Sequence, residues 1–355
     1  PLARLAGWVP ATAVAPLEAR LRQTLSLPFD LSSRDPRPDE RPLVPTIATR
    51  SRLLAPFALL VQQYGIPRYG EIDPTPLFAA SFLLMFGTMF GDVGQGAVIA
   101  GLAWYFRHTL GRFYLFGVLA GLSSIAFGFV FGSVFGFEHW LPALWMPPLH
   151  DPLLMLSLAL GWGVFFIAMA CLLATYNRLV VGNWAGALFG HHGLVNLIFY
   201  LALAWGGYNV SQGQGFGTGP LALVILSLGA LAWHGWGHLE APRSEKILVG
   251  FIETLETIVG YISNTLSFLR VAAFSLNHAA LALAIFTLAE MMGPVGHGLT
   301  LILGNVFMIV LEGGIVLIQV LRLEFYEGFA RYFAGDGHAF SPLRLGPAPE
   351  RGTAP

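Results

Sequence analysis

Long apolar runs separated by short polar gaps dominate the chain from Leu77 onward. A helix needs roughly 20 residues to cross the hydrocarbon core of a bilayer, and apolar runs of that order lie at 113–135, 152–177, 186–208 and 220–237. Two longer stretches follow, at 247–292 and 298–333, joined by a turn at Gly293-Pro294. This pattern predicts an all-α polytopic membrane protein with two long, tilted C-terminal helices.

The stretch 77–107 is ambiguous, because Gly91-Asp92-Val93-Gly94 interrupts it. Cytoplasmic loops carry an excess of Lys and Arg, and alternate gaps here hold Arg107 and Arg112, Arg178, Arg243 and Lys246, and Arg331 and Arg344. The remaining gaps, 136–151, 209–219 and 293–298, contain neither residue. All cationic gaps share one side only if 77–107 makes a return trip. We therefore predict two short helices there, eight membrane segments in total and cytoplasmic termini, with a re-entrant hairpin at 77–107 as the alternative.

The first 76 residues differ from the rest, since they hold about half of the arginines and a stretch at 28–45 that is rich in Pro, Asp and Arg. We expect residues 1–76 to be the end of a cytoplasmic N-terminal domain plus a linker, 77–335 a transmembrane proton-channel domain, and 336–355 a cytoplasmic C-terminal tail. Because the chain starts with Pro, we also expect a soluble domain upstream.

Composition narrows the function classes. The chain is 55% hydrophobic and 11% charged, whereas a soluble domain carries about 25% charged residues. The net charge of −1 argues against a nucleic-acid partner. Neither the single Cys171 nor the pairs His191/His192 and His234/His238 offers a full set of metal ligands. There is no Walker motif for a nucleotide, and we expect no cofactor.

Two arginines stand out because they lie deep inside apolar helices, at Arg270 and Arg322. A central Arg costs roughly 2.5–3.5 kcal/mol on insertion scales and is therefore a functional candidate. Each lies roughly 33–36 Å from the turn at Gly293-Pro294, at 1.5 Å per residue. In antiparallel neighbouring helices the two guanidinium groups would share one depth. They would repel each other unless another chain or a nearby carboxylate supplied an anion.

A polar stripe accompanies Arg270 on its own helix, where Glu256, Ser263, Arg270 and Asn277 recur every seven residues. Other polar candidates flank this stripe or lie on the following helix: Asn264, Ser267, His278, Asn305, Glu312, Gln319 and Arg322. Such side chains can donate and accept protons along a path. Polar residues at helical spacing also hold helices together, and that alternative stays open for the individual Ser and Asn residues.

The position of Arg270 divides the stripe. Glu256, Ser263 and Ser267 lie on its cytoplasmic side, and Asn277, His278 and Glu312 lie on the other. Arginine cannot give up its proton, so two half-paths on either side of it would exchange protons only through a moving carrier. A carboxylate on a rotating ring fits that description. The alternatives are a stand-alone proton-coupled transporter or ion channel, and a non-conducting membrane anchor.

Asp92, Glu324 and Glu327 are less certain parts of this path. Asp92 stands at the break in 77–107, where capping a short helix is slightly favoured over a role in proton transfer. Glu324 and Glu327 follow Arg322 toward the cytoplasmic end, and we expect both to be solvated. Gly87 and Gly91, four residues apart, are typical of a close helix contact.

Several motifs together resemble the V-type ATPase subunit a / A-type ATPase subunit I family. The stretch from Tyr261 to Arg270 (YISNTLSFLR), continuing through AFSLNHA to Ala279, is similar to the arginine-bearing helix of that family. Further similar segments are LEG at 311–313, LRLEFYE at 321–327, GDG at 335–337, EIDPT at 71–75, FGTMFGDVGQG at 86–96 and GWVP at 7–10. The similarity extends over essentially the whole chain, although almost all of the family's cytoplasmic arm is absent.

The resemblance implies a non-catalytic stator subunit in the cell membrane of a prokaryote. It implies eight membrane helices facing a rotor ring of c/K/L-type proteolipids, and a cytoplasmic arm that binds peripheral stalks and so connects to the V1/A1 ATPase sector. Arg270 would face the ring carboxylate with Arg322 as its partner, and Glu312 and His278 would lie in the half-channel opposite the cytoplasm. Neither the transported ion nor the direction of coupling follows from the resemblance.

Overall fold

The computed structural model describes residues 4–37, 40–47, 51–137, 140–238 and 243–342. In chain order its helices are α1 (Val14–Thr24), α2 (Ala55–Tyr64), α3 (Thr75–Met89), α4 (Val93–Tyr105), α5 (Arg107–Leu110), α6 (Tyr114–Phe131), α7 (Pro152–Val180), α8 (Trp184–Phe189), α9 (Leu194–Ser211), α10 (Thr218–His238), α11 (Arg243–Ser267), α12 (Leu269–Glu290), α13 (Pro294–Phe307), α14 (Gly313–Arg322) and α15 (Ala330–Tyr332). Within these described ranges β-structure is limited to isolated bridges. The predicted all-α class is confirmed.

Five helical stretches are long and apolar enough to cross a membrane, namely Arg107–Phe131, Pro152–Val180, Trp184–Ser211, Leu248–Glu290 and Pro294–Tyr332. The predicted polytopic membrane architecture is therefore confirmed. Thr75–Met89 and Thr218–His234 are apolar but shorter, so the count of eight stays a prediction. The predicted span 186–208 is divided, because the turn at Gly190–Gly193 separates α8 from α9.

The chain reverses direction between α3 and α4. Leu83 and Gly91 of the first arm lie against Ser123 and Phe131, so α3 runs parallel to α6. On the second arm Gly96 lies against Gly121, and the order of contacts along α4 is opposite to that along α6. The predicted return trip is thus present. The two arms have 15 and 13 residues, about 22 and 20 Å at 1.5 Å per residue, so each is shorter than a full membrane crossing.

The two long C-terminal stretches contain irregular turns. The first has 43 residues and bends at Phe268, where i to i−3 hydrogen bonds join Phe268 N to Thr265 O and Val271 N to Phe268 O. The second has 39 residues and contains two π-helical segments, Met308–Glu312 and Leu323–Phe329. Both stretches exceed the roughly 20 residues of a perpendicular crossing, which is compatible with the predicted tilt.

An aromatic core holds the C-terminal helices against α3. Phe78, Phe82 and Phe90 of the α3 arm are fully buried, as is Phe329 of the second π segment. Phe78 and Phe329 have ring centroids 5.5 Å apart, so the core extends from α3 directly into the helix that carries Arg322. Burying a Phe side chain contributes about 1.5–3 kcal/mol, and this packing fixes the orientation of α12 and α14.

Residues 336–340, which we expected to belong to a tail, pair with the predicted linker. Isolated bridges join Thr46 to Ala339 and Ile66 to Asp336. Asp336 also accepts a charged hydrogen bond from Arg68, and this guanidinium lowers the pKa of the Asp336 carboxyl group. The division of the chain into three domains stays a prediction, but part of the third segment is anchored to the first.

Candidate functional site

Arg270 lies at the start of α12, directly after the bend at Phe268. Phe268 is fully buried and packs against Gly163 of α7. This packing fixes the turn from which the arginine projects. The Arg270 side chain is half-buried, and its Nη1 atom is enclosed without a hydrogen-bond partner among the described residues. An enclosed guanidinium nitrogen of this kind is a donor available to an acceptor from elsewhere.

Arg322 and Glu327 are the charged groups that act on Arg270. Arg322 ends α14 and is exposed, whereas Glu327 lies in the second π segment and is buried. Glu327 is also close to Ser267, the last residue of α11. The expected clustering of the two arginines is therefore present, and Glu327 is the nearby carboxylate that reduces their mutual repulsion.

The arginine pair opens onto an exposed apolar face. On the second long helix, exposed side chains precede Arg322 at helical spacing, with Val310 70%, Leu311 49%, Ile315 38% and Ile318 62% exposed. On the first, Leu255, Val259, Ile262 and Leu266 are exposed before Arg270. Charged groups at an apolar surface are unfavourable in lipid. A second membrane protein that presents an anion would satisfy this face.

His278 and Glu312 form a buried pair on the other side of Arg270. The His278 Nδ1 and Glu312 Oε2 atoms are 2.9 Å apart, and both residues are less than 5% exposed. Asn277 donates to Glu312 Oε1 at 3.3 Å, and the Phe90 ring centroid lies 4.8 Å from the imidazole. The first π segment ends at Glu312, and such segments are frequent at functional sites. Three predicted candidates are thus in contact.

A small cavity adjoins this pair. Its volume is about 10 Å³ and its lining includes Ser133, Ser275 and His278, which is close to the space that a single water molecule occupies. The His278 Nε2 and Ser275 Oγ atoms are buried and have no hydrogen-bond partner among the described residues. One water molecule there could join both atoms to Ser133.

Asn305 contacts a residue that the sequence analysis did not select. Gln95 Nε2 donates to Asn305 Oδ1 at 2.9 Å, which links α4 to α13. Gln95 is fully buried and its Oε1 atom is without a partner in the described part of the chain. Gln95 belongs to the segment FGTMFGDVGQG. Polarity in an apolar run was therefore the available signal, and the three glycines around it drew attention to packing instead.

Asp92 is a structural residue in this geometry. Its carboxylate accepts hydrogen bonds from Gln95 N at 2.8 Å, Ser133 Oγ at 2.6 Å, Phe135 N at 2.9 Å and Gly136 N at 2.7 Å. The first bond caps α4, and the other three hold the loop that follows α6. The predicted capping is confirmed. Four hydrogen bonds to one carboxylate stabilise its ionised form, which makes Asp92 poorly suited to carrying a proton.

We expect Asp92→Ala to lower the free energy of unfolding by about 2–4 kcal/mol, since a bond to a charged group contributes about 1.5–3 kcal/mol and these four share one acceptor. Asp151→Ala is the matched control, because Asp151 caps α7 through one bond to Leu154 N and an N-cap contributes about 1 kcal/mol. Thermal unfolding of both variants in detergent measures the difference. Equal losses of stability would contradict the assignment of Asp92 as a loop clamp.

The remaining candidates are more dispersed. Glu256 and Ser263 are exposed on α11, Asn264 and Ser267 are half-buried, and Ser267 Oγ donates to Ser263 O at 3.2 Å. The bend at Phe268 interrupts the heptad stripe that was predicted to run on through Arg270. Gln319 of α14 is half-buried, and its Oε1 atom is enclosed without a partner among the described residues.

Glu324, Glu327 and Arg331 are not solvated, and the expectation for the two acids was wrong. Glu324 is 1% and Glu327 6% exposed, because the second π segment turns both side chains into the packing between the helices. Glu324 is close to Ser81 of α3. Arg331, which we assigned to a cationic gap, is buried too: its Nε donates to Glu327 O at 3.0 Å and its guanidinium lies 5.1 Å from the Tyr261 ring.

Comparison with known proteins agrees with this arrangement. The model of the V-type ATPase 116kDa subunit family matches residues 2–113 and 235–345. The chain belongs to the V-type ATPase 116kDa subunit family. The second matched range contains Arg270, His278, Glu312, Arg322 and Glu327. The resemblance inferred from the motifs is therefore confirmed, and the clustered side chains lie in the part of the chain that the family model recognises.

Curated relatives of this V-type ATPase family chain include subunits of ATP synthases. The A-type ATP synthase subunit I of Aeropyrum pernix is 25% identical over 85% of the chain and 52% of its own length. The protein of the same name from Thermococcus kodakarensis is 24% identical over 96% of the chain and 54% of its own length. The V-type ATP synthase subunit I 2 of Treponema pallidum is 34% identical over 37% of the chain and 32% of its own length. The chain spans about half the length of the archaeal relatives.

Proposed function

We propose that this chain is the stationary membrane subunit of a rotary V/A-type ATPase and carries protons past a rotating proteolipid ring. The single observation that carries the proposal is the position of Arg270 and Arg322 at an exposed apolar face, with the buried His278–Glu312 pair beside them. Family membership and the names of the relatives support it. The catalytic ATP sites belong to other subunits.

Arg270 acts as the barrier between two half-paths. A guanidinium cannot lose its proton in a protein, so protons cannot pass along it. The enclosed Nη1 atom has no partner among the described residues and is therefore available to an anion on the ring. An ionised ring carboxylate binds there, and a protonated one is released toward the lipid, where a neutral group is favoured.

The half-path away from the cytoplasm runs through His278 and Glu312. The imidazole takes a proton at Nε2, the nitrogen that faces the small cavity. It then gives the proton on Nδ1 to Glu312 Oε2, 2.9 Å away. Imidazole can do this because its two nitrogens exchange donor and acceptor roles. Glu312 passes the proton to the ring carboxylate, and Asn277 orients the Glu312 carboxyl group from the same helix as Arg270.

The cytoplasmic half-path uses Glu256, Ser263 and Ser267, which lead along α11 toward Arg270. Glu327 extends this set, since its carboxyl group is close to both Ser267 and Arg270. Glu327 also serves as the counter-charge of the arginine pair while no ionised ring carboxylate faces it. Gln319, Asn264 and Asn305 complete the polar lining.

We further propose the surroundings of the subunit. The chain lies in the cell membrane of a prokaryote with both ends in the cytoplasm. It contacts the proteolipid ring through the apolar face around Arg270 and Arg322. Residues 1–76 lead to the arm that binds the peripheral stalks and thereby the V1/A1 sector, residues 77–335 form the proton channel, and residues 336–355 return to the cytoplasm.

Cysteine cross-linking tests whether this face meets the ring. In a Cys171→Ser background, Ile318→Cys places a thiol one helical turn from Arg322 on the exposed face. We expect it to form disulfides with cysteines placed next to the ring carboxylate, and ATP-driven rotation to spread these cross-links over all ring copies. Leu226→Cys is the control, because Leu226 is 74% exposed on a different helix, α10.

Cross-links from Leu226→Cys that match those from Ile318→Cys would mean that proximity to the ring is not confined to this face. Absence of any ring cross-link from Ile318→Cys in an intact assembly would refute the proposal. A stand-alone transporter would give that second result, since it would have no ring beside Arg322.

A further inference from the structure

A cleft of about 600 Å³ opens where α2 meets the start of α6. Its lining includes Ser51, Arg52, Arg112, Tyr114 and Leu115. The helix α2 packs on both α6 and the preceding 3-10 turn, Gly111–Phe113, so two segments that are distant in sequence form its walls. The cleft is separate from the arginine pair and the acids of the proton path, and none of its lining residues has a role in the proposed function.

The cleft presents positive charge without a counter-charge. Arg52 and Arg112 both line it, and neither is assigned an ion pair or side-chain hydrogen bond within the described residues. The Ser51 and Tyr114 hydroxyl groups add two further donors. The lining contains no Asp or Glu. Two guanidinium groups beside hydroxyl donors are the groups that recognise a phosphate, often through paired N–H bonds.

The surface beside the cleft is that of a membrane boundary. Trp104, Tyr105 and Phe106 are 56%, 76% and 50% exposed, and Arg107 lies 4.9 Å from the centre of the Trp104 ring. Exposed aromatic residues are enriched at the level of the lipid headgroups. The apolar helix that follows, Arg107–Phe131, is one of the five long enough to cross the membrane.

We propose that the cleft binds the headgroup of an anionic phospholipid. Its phosphate contacts Arg52 and Arg112, and its acyl chains lie along the exposed aromatic surface at 104–106. The lipid joins α2, in the segment that precedes the membrane domain, to the first long membrane helix. Arginines near a membrane surface attract anionic lipids in this way. The proposal does not depend on the proton path.

Photolabelling of the intact, purified ATPase tests the site. A phosphatidylglycerol analogue with a photoreactive headgroup is added, and labelled peptides are mapped by mass spectrometry. We expect labels at 51–55 and 111–115, with about a tenfold lower yield in Arg52→Gln/Arg112→Gln, since each arginine near the surface contributes about 1 kcal/mol of attraction. Arg20→Gln is the matched control, because Arg20 is exposed on α1 outside the cleft, and it should label as the parent does.

Two further arms identify the ligand. The corresponding phosphatidylcholine analogue should label these peptides weakly, and inorganic phosphate at millimolar concentration should not displace phosphatidylglycerol. Equal labelling by phosphatidylcholine would overturn the charge-based proposal, and displacement by phosphate would replace it with a site for free phosphate. Unchanged labelling in the double variant, or no labelling of these peptides because another subunit covers the cleft, would also refute it.

Discussion

We expect Arg270→Ala and Arg270→Lys to abolish ATP-driven proton pumping, with a fall of at least about 100-fold in each variant. A hydrogen bond to a charged group contributes up to about 3 kcal/mol, and each 1.4 kcal/mol corresponds to a factor of ten. Lysine does not rescue the function, because a compact ammonium lacks the planar fork of guanidinium and shifts its pKa readily when it is buried. The measurement is acidification of vesicles that carry the whole complex.

Assembly separates this result from a folding defect. The arginine is half-buried at a bend held by Phe268, and its Nη1 atom makes no hydrogen bond to the described residues. Removing the guanidinium should therefore leave subunit association intact, as co-purification of the complex would show. Arg20→Lys, on the exposed surface of α1, should pump normally. Pumping by Arg270→Lys at more than a tenth of the parent rate would refute the barrier role and favour a membrane anchor or a lone transporter.

Sequence alone predicted the elements whose cause is local. The glycines around Asp92 marked the break between α3 and α4, and the distribution of arginines required the chain to turn back there. The pairing of Arg270 with Arg322 followed from counting residues on two antiparallel helices, because the rise per residue is constant. The bend at Phe268 was missed, since no Pro or Gly marks it and its cause is packing against Gly163 of α7, about a hundred residues earlier.

Glu327 was missed for a different reason. At 3.6 residues per turn, Arg322 and Glu327 project about 140° apart, so helical periodicity assigned the acid to another face. The π segment Leu323–Phe329 widens the turn, and its i to i+5 spacing brings these two positions close together. Asp92 illustrates the same limit, because its cap is local but three of its four hydrogen bonds come from residues 133–136. Contacts made across sequence distance decided both assignments.

The second large effect concerns Glu312, for which we expect Glu312→Gln to lower the pumping rate about tenfold without loss of assembly. Glutamine keeps an oxygen for Asn277 and His278 but cannot receive and release a proton. Some transfer persists if water molecules pass protons directly between His278 and the ring, so the loss is smaller than for Arg270. Glu290→Gln is the control, since Glu290 is an exposed acid at the end of α12, and it should pump normally.

A double-mutant cycle then distinguishes a shared path from two separate structural defects. Because the His278 Nδ1 and Glu312 Oε2 atoms are in direct contact at 2.9 Å, the effects of His278→Gln and Glu312→Gln should not add. The double variant should pump about as slowly as Glu312→Gln alone, since the second change acts on a step that is already lost. The pH dependence of the pumping rate should also flatten, because the pair titrates as one unit in the parent. Additive losses with an unchanged pH profile would mean that the two residues act independently, and the outer half-path would then need another route past α12.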